Sequence, residues 1–204
     1  MKELKVRVTM IEELLGSQPG DPELHKTYIA SKAPDAPSKE EEIAAMGVDA
    51  FEERAMTYFH RAKDGKTPCL MDYQIKGFFK SAAKVENDRS ESKLKKLTAF
   101  KKKIDLFVFV YGLDGSRFIA LDLPEGETIG TCERPLRAQT MQGERVSIAK
   151  SETAPEGTTC EFVVTVLDDS LLPYVKAWLD YGKFNGFGQW RNSGKGRFRW
   201  EEIL

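Results

Sequence analysis

Between Leu4 and Ile11, apolar and polar side chains alternate. Leu4, Val6, Val8 and Met10 fall on one side, and Lys5, Arg7 and Thr9 on the other. A period of two predicts a half-buried strand. Residues 12–22 then gather Gly16, Pro19, Gly20, Asp21 and Pro22, the mark of a turn-rich connection. Further on the period changes. Phe51, Ala55, Tyr58 and Phe59 fit one face of a helix capped by Asp49 and running to about Lys63. From Tyr73, apolar Ile75, Phe78, Phe79, Ala82 and Ala83 line one helical face, and Lys76, Lys80 and Lys84 another. Leu94, Leu97 and Phe100 predict a further lysine-rich helix.

The apolar run at 104–111 predicts a strand, and Asp114-Gly115 a tight hairpin into residues 117–121. Strands are also expected near 128–133, 144–150 and 160–167. A helix capped by Ser170 then turns Leu172, Val175, Trp178 and Leu179 inward and ends at Gly182. Residues 197–200 form a closing strand. This order of strand, helices, strands, helix and strand predicts an α+β fold with helices on one face of a sheet.

Composition adds bounds. At 204 residues, 41% hydrophobic and 31% charged, the chain has the make-up of a globular protein. No apolar run approaches the roughly 18 residues of a membrane span, and the first residues lack an apolar leader core. Cys69, Cys132 and Cys160 are odd in number and share no C-x-x-C spacing. That leads us to expect a reducing cytoplasm, with no disulfide framework, metal or cofactor. The net charge of −1 conceals a division. Residues 1–72 hold ten Lys and Arg against fourteen acids, and residues 73–103 ten against three. A local basic stripe attracts phosphate whatever the total charge.

The densest signal is Gly186-Phe187-Gly188-Gln189-Trp190-Arg191-Asn192-Ser193-Gly194-Lys195-Gly196-Arg197-Phe198. Two G-x-G units flank a five-residue spacer, and no acid occurs from Lys183 to Trp200. Glycine amides approach anions closely. Phe187, Trp190 and Phe198 are candidates to stack on unpaired bases. A structural hairpin using glycine for positive φ is the competing reading.

The G-x-G-x5-G-x-G element after a C-terminal helix resembles the glycine-rich loop of the RAMP superfamily, the RNA-binding subunits of class 1 CRISPR effector complexes. The run from Pro68 to Ala83, with Lys76-Gly77 and Lys80, is similar to the P-x-I-P-G-S-S-L-K-G-x-x-R-S stretch of their backbone subunits. Asp72-Tyr73-Gln74 stands here in place of Gly-Ser-Ser. The chain also looks like uncharacterised bacteriophage and prophage proteins. The resemblance implies an RRM-like (ferredoxin-like) antiparallel sheet with helices on one face and loop or hairpin insertions. It implies one domain over 1–204, with insertions at about 12–66 and 122–158, in a phage-infected or prophage-bearing bacterial cytoplasm.

The implied function is non-catalytic binding of RNA or single-stranded DNA, with self-assembly along the strand or within a larger complex. The implied contacts are Lys76, Lys80, Gly186, Gly188, Gln189, Trp190, Arg191, Gly194, Lys195, Gly196 and Arg197. Arg134 and Arg137 would lie on a thumb-like insertion. Two other readings stand beside this one. One is a RAMP-type endoribonuclease with His25 or Asp21 as acid or base. The other is a phage interaction protein that mimics or blocks a host defence complex. The glycine-rich run lacks the preceding strand and following helix of a dinucleotide site.

Overall fold

The computed structural model describes residues 1–19, 56–90, 92–140 and 143–204, with only the backbone of 136–140 and 143–147. The chain divides into two units: residues 1–14, 60–128 and 154–204 form the first, and 15–59 with 129–153 the second.

In the first unit, β1 (Lys2–Met10) follows its alternating pattern, with Leu4, Val6, Val8 and Met10 buried. It pairs antiparallel with β11 (Thr159–Val166) on one side and β12 (Phe198–Glu202) on the other. β7 (Val108–Gly112) adds antiparallel to the far edge of β11. The helices α1 (Asp72–Asp88) and α3 (Leu172–Asp180) connect β1 to β7 and β11 to β12. Element order β-α-β-β-α-β with sheet order β12-β1-β11-β7 is the ferredoxin-like arrangement. Both helices cover one face, where Phe79 of α1 meets Trp178 of α3 at 5.8 Å between ring centroids. Each such fully buried side chain contributes about 1.5–3 kcal/mol.

The sheet is extended by β8 (Phe118–Asp122), β6 (Pro68–Met71) and β5 (His60–Arg61), giving seven strands, all pairs antiparallel. Several expectations change here. The lysine-rich helix expected around Leu94, Leu97 and Phe100 forms only from Phe100, and Asp168, accepting from the Ser170 amide, caps the turn into α3 in place of Ser170. The helix expected to reach Lys63 is not formed at its end: β4 (Thr57–Tyr58) and β5 are strands. Their pairing partners lie elsewhere in the chain, so local periodicity gave way to non-local pairing. The strand expected at 104–111 begins as α2 (Phe100–Phe107) and becomes β7 only at Val108. Ile104 alone is buried in α2, which a short apolar run cannot announce.

The second unit is built on the hairpin of β9 (Gly130–Thr140) and β10 (Gly143–Ala154). Its sheet runs in the order β2 (Leu14–Leu15), β10, β4, β3 (Gln18–Pro19), with β9 beside β10. A polar network binds it. Thr57 Oγ1 donates to the Gly16 carbonyl at 2.9 Å and lies 2.7 Å from Ser151 Oγ. Glu152 Oε2 accepts from the Phe59 amide at 2.8 Å.

Candidate nucleic-acid interface

The glycine-rich loop is a folded hairpin held by its own backbone. The Phe187 amide donates to the Gly196 carbonyl at 3.0 Å, and the Gly196 amide donates to the Glu13 carbonyl at 2.8 Å. A Cβ on Gly186 would lie 1.6 Å from the Gly196 carbonyl oxygen, and one on Gly196 would lie 2.0 Å from that of Phe187. Glycine is therefore demanded at both positions by crossing strands of backbone. Phe187 and Phe198 are buried and stack on each other at 4.4 Å, with Phe78 of α1 at 5.1 and 5.3 Å. Neither can receive a base, contrary to the stacking expected of them. Trp190 is the aromatic of the three that reaches solvent, at 39% exposure. Its φ of 55° is left-handed, a conformation that costs a non-glycine residue about 1–2 kcal/mol.

Charge in the loop is distributed differently from what its local sequence implies. Lys195 Nζ pairs with Glu13 at 3.0 Å and Arg197 Nη2 with Glu12 at 2.8 Å. Arg191 is exposed and has no ion pair among the described residues. Gly188 and Gly194, with φ of 72° and 85°, shape the turns around it, and Gln189 is half-buried.

The second motif lies at the start of α1. Gln74 Oε1 accepts from the Met71 amide at 2.7 Å, tying off the first turn. Asp72 receives Arg117 through two hydrogen bonds of 3.1 Å, so the positive end of the helix already carries a carboxylate. Lys80 pairs with Asp105 of α2 at 2.6 Å. Lys76 Nζ approaches the Asp105 carbonyl at 3.4 Å and the Phe109 ring at 5.1 Å; burial lowers its pKa. Gly77 between them faces open space. The two motifs, some 110 residues apart in sequence, thus meet through Phe78.

The remaining candidates lie on other elements. Arg134 belongs to the second unit; it is 6% exposed, and its Nη1 donates to Ser151 Oγ at 3.1 Å. Arg137 lies in β9, and its side chain is outside the described residues, as are His25 and Asp21 altogether. His60 lies in β5, with Nε2 at 2.9 Å from the Tyr73 hydroxyl, and burial lowers its pKa. The sequence reading gave these two residues no connection, because β5–β6 pairing alone brings them together.

A cleft of about 540 Å³ in the first unit is lined by Asp64, Asp114, Asp122 and Glu161 with Lys63. The Thr67 hydroxyl and the amides of Lys66 and Thr67 hold the Asp64 carboxyl down to about 2. With four carboxylates to one lysine, this lining repels phosphate. Burial raises Cys69 to about 11 and Cys160 to about 12, so neither thiol is a nucleophile at neutral pH. Among the described residues no cluster of three His, Cys, Asp or Glu is arranged for a metal. Among them, too, no helix is long and apolar enough to cross a membrane.

No family model and no curated protein matches this chain. Among solved structures, the chain is similar to a chain of the type III-B Cmr-beta complex, determined by cryo-EM bound to cognate target RNA. The TM-score is 0.54 at 10% identity, over 100% of this chain and 60% of that one. The fold is thus shared with a chain of that RNA-bound complex, of whose length this chain spans about 60%.

Proposed function

We propose that this chain is a non-catalytic, RAMP-like RNA-binding protein that tracks a single strand along the surface formed by α1 and the glycine-rich loop. The observation that carries this reading is the convergence of both motifs on one ferredoxin-like unit, through Phe78, Phe187 and Phe198. Exposed Gly77 leaves room for a backbone beside Lys76 and Lys80. Trp190 and Arg191 form the loop's outward tip, one for stacking and one for phosphate. The similar chain's RNA-bound complex supports the same reading. Assembly of several copies along one strand follows if adjacent subunits cover adjacent stretches.

The test is fluorescence anisotropy with a labelled single-stranded RNA, titrated with salt. Binding should weaken steeply as salt rises. The paired change Trp190→Ala and Arg191→Ala should weaken it about five- to hundred-fold, the range of one lost base stack. Absence of binding at low salt overturns the proposal. RNA cleavage abolished by His25→Ala or Asp21→Ala replaces it with the endoribonuclease reading. Nucleic-acid-free capture of one host protein, without RNA binding, favours the interaction-protein reading.

A further inference from the structure

A dense run of positive charge lies outside both motifs. From Ser92 to Lys103 the chain carries Lys93, Lys95, Lys96, Lys101, Lys102 and Lys103, with no acid. All but Lys103 are exposed, and none has an ion pair among the described residues. Of the acids nearby, Asp105 pairs with Lys80 and Glu86 with Arg89 and Ser92, while Asp168, hydrogen-bonded by Ser170, also interacts with Lys103.

This segment has a fixed shape. Asn87 clamps Leu97 from both sides: its Oδ1 accepts from the Leu97 amide at 2.9 Å, and its Nδ2 donates to the Leu97 carbonyl at 3.0 Å. Ser92 Oγ accepts from the Leu94 amide at 3.0 Å and donates to Glu86 Oε1 at 2.6 Å. The Tyr174 hydroxyl of α3 donates to the Lys95 carbonyl at 2.9 Å. Ala99, with φ of 51°, turns the chain into α2, where buried Ile104 anchors it. Leu97 and Ile104 therefore point inward while the lysines stand outward on a constrained backbone.

Holding six like charges together costs stability through self-repulsion. The five exposed lysines are point charges without the planar fork of arginine, so they suit phosphates read without sequence preference. We infer that residues 92–103 form a phosphate-backbone platform for single-stranded RNA, separate from the motif surface. The inference rests on the RNA-binding reading and deepens it: most of the salt-dependent affinity comes from this platform, and the motif surface supplies stacking.

The experiment compares wild type, the fourfold variant Lys95→Ala, Lys96→Ala, Lys101→Ala and Lys102→Ala, and the Trp190→Ala, Arg191→Ala pair. Each is titrated with salt against two unrelated 30-nucleotide RNAs and a polyglutamate peptide. The fourfold variant should weaken binding to both RNAs equally. It should flatten the log–log salt slope by up to about 3, at roughly 0.7 per lost phosphate contact. It should also melt no lower than wild type, because repulsion is removed. Wild-type binding with an unchanged slope in the fourfold variant overturns this platform but leaves the motif surface standing. Preference for polyglutamate overturns RNA as the occupant. Failure of wild type to bind either RNA overturns both proposals.

Discussion

Gly77 illustrates how a single position separates stability from function. It lies within α1, and a Cβ there would meet nothing within 4 Å. Packing does not require glycine, and in a helix interior glycine costs about 0.8–1 kcal/mol against alanine. Gly77→Ala should therefore raise the melting temperature, by about 1–4 °C for a chain of this size. If an RNA backbone runs beside Lys76, the same change should lower RNA affinity, measured by anisotropy. Gly186 is the opposite case. Its Cβ would strike the Gly196 carbonyl, so Gly186→Ala should destabilise by more than about 2 kcal/mol in urea unfolding. His60 adds a pH dependence. Burial lowers its folded pKa below the unfolded value, so its contribution is present above the unfolded value near 6.5 and lost as pH falls through the folded one. The stability advantage of wild type over His60→Gln should shrink between pH 7.5 and 5.5, as followed by thermal melts.

At the scale of elements, Phe78 joins α1 to the glycine-rich loop through Phe187 and Phe198. Phe78→Ala should cost about 3–5 kcal/mol. Hydrogen exchange should show faster loss of protection at the Phe187 amide than in β1, because the loop loses its aromatic floor. Five elements of this core were legible in sequence. β1 and β11 alternate cleanly, α1 and α3 carry apolar faces of helical period, and β12 follows the glycines. What stayed hidden depends on partners far along the chain. Glu12 and Glu13 neutralise Arg197 and Lys195 across more than 180 residues, so two of the five cations in a stretch without local acids are nonetheless paired. Phe187 and Phe198 looked open to bases because nothing in their own segment announces Phe78. The lysines of 92–103 were visible as net charge, but that Asp105 serves Lys80 rather than its own lysine-rich segment appears only in the fold. His60 and Tyr73 were placed together by sheet pairing, which local periodicity does not encode.

For the whole molecule, the two units make the RNA proposal testable without mutation. Gly77, residues 92–103 and the glycine-rich loop all lie in the first unit, whereas Arg134 and Arg137 lie in the second. The first unit is built around aromatic and aliphatic side chains. In the second, the described buried residues include Arg134, Ser151, Glu152 and Thr153 beside Leu15 and Phe59, and hydrogen bonds hold the first three. Hydrogen-bond networks contribute about 0.5–1.5 kcal/mol per bond, less than a buried aromatic ring. Calorimetry should therefore resolve two transitions, with the second unit melting first and a calorimetric enthalpy above the van't Hoff value. A ligand stabilises only what it binds, by about 2.7 kcal/mol at a free concentration one hundred times its dissociation constant. Saturating single-stranded RNA should move the upper transition and leave the lower one in place. Movement of the lower transition alone would transfer the binding surface to the β9–β10 hairpin, making that hairpin, rather than the glycine-rich loop, the part that covers the strand.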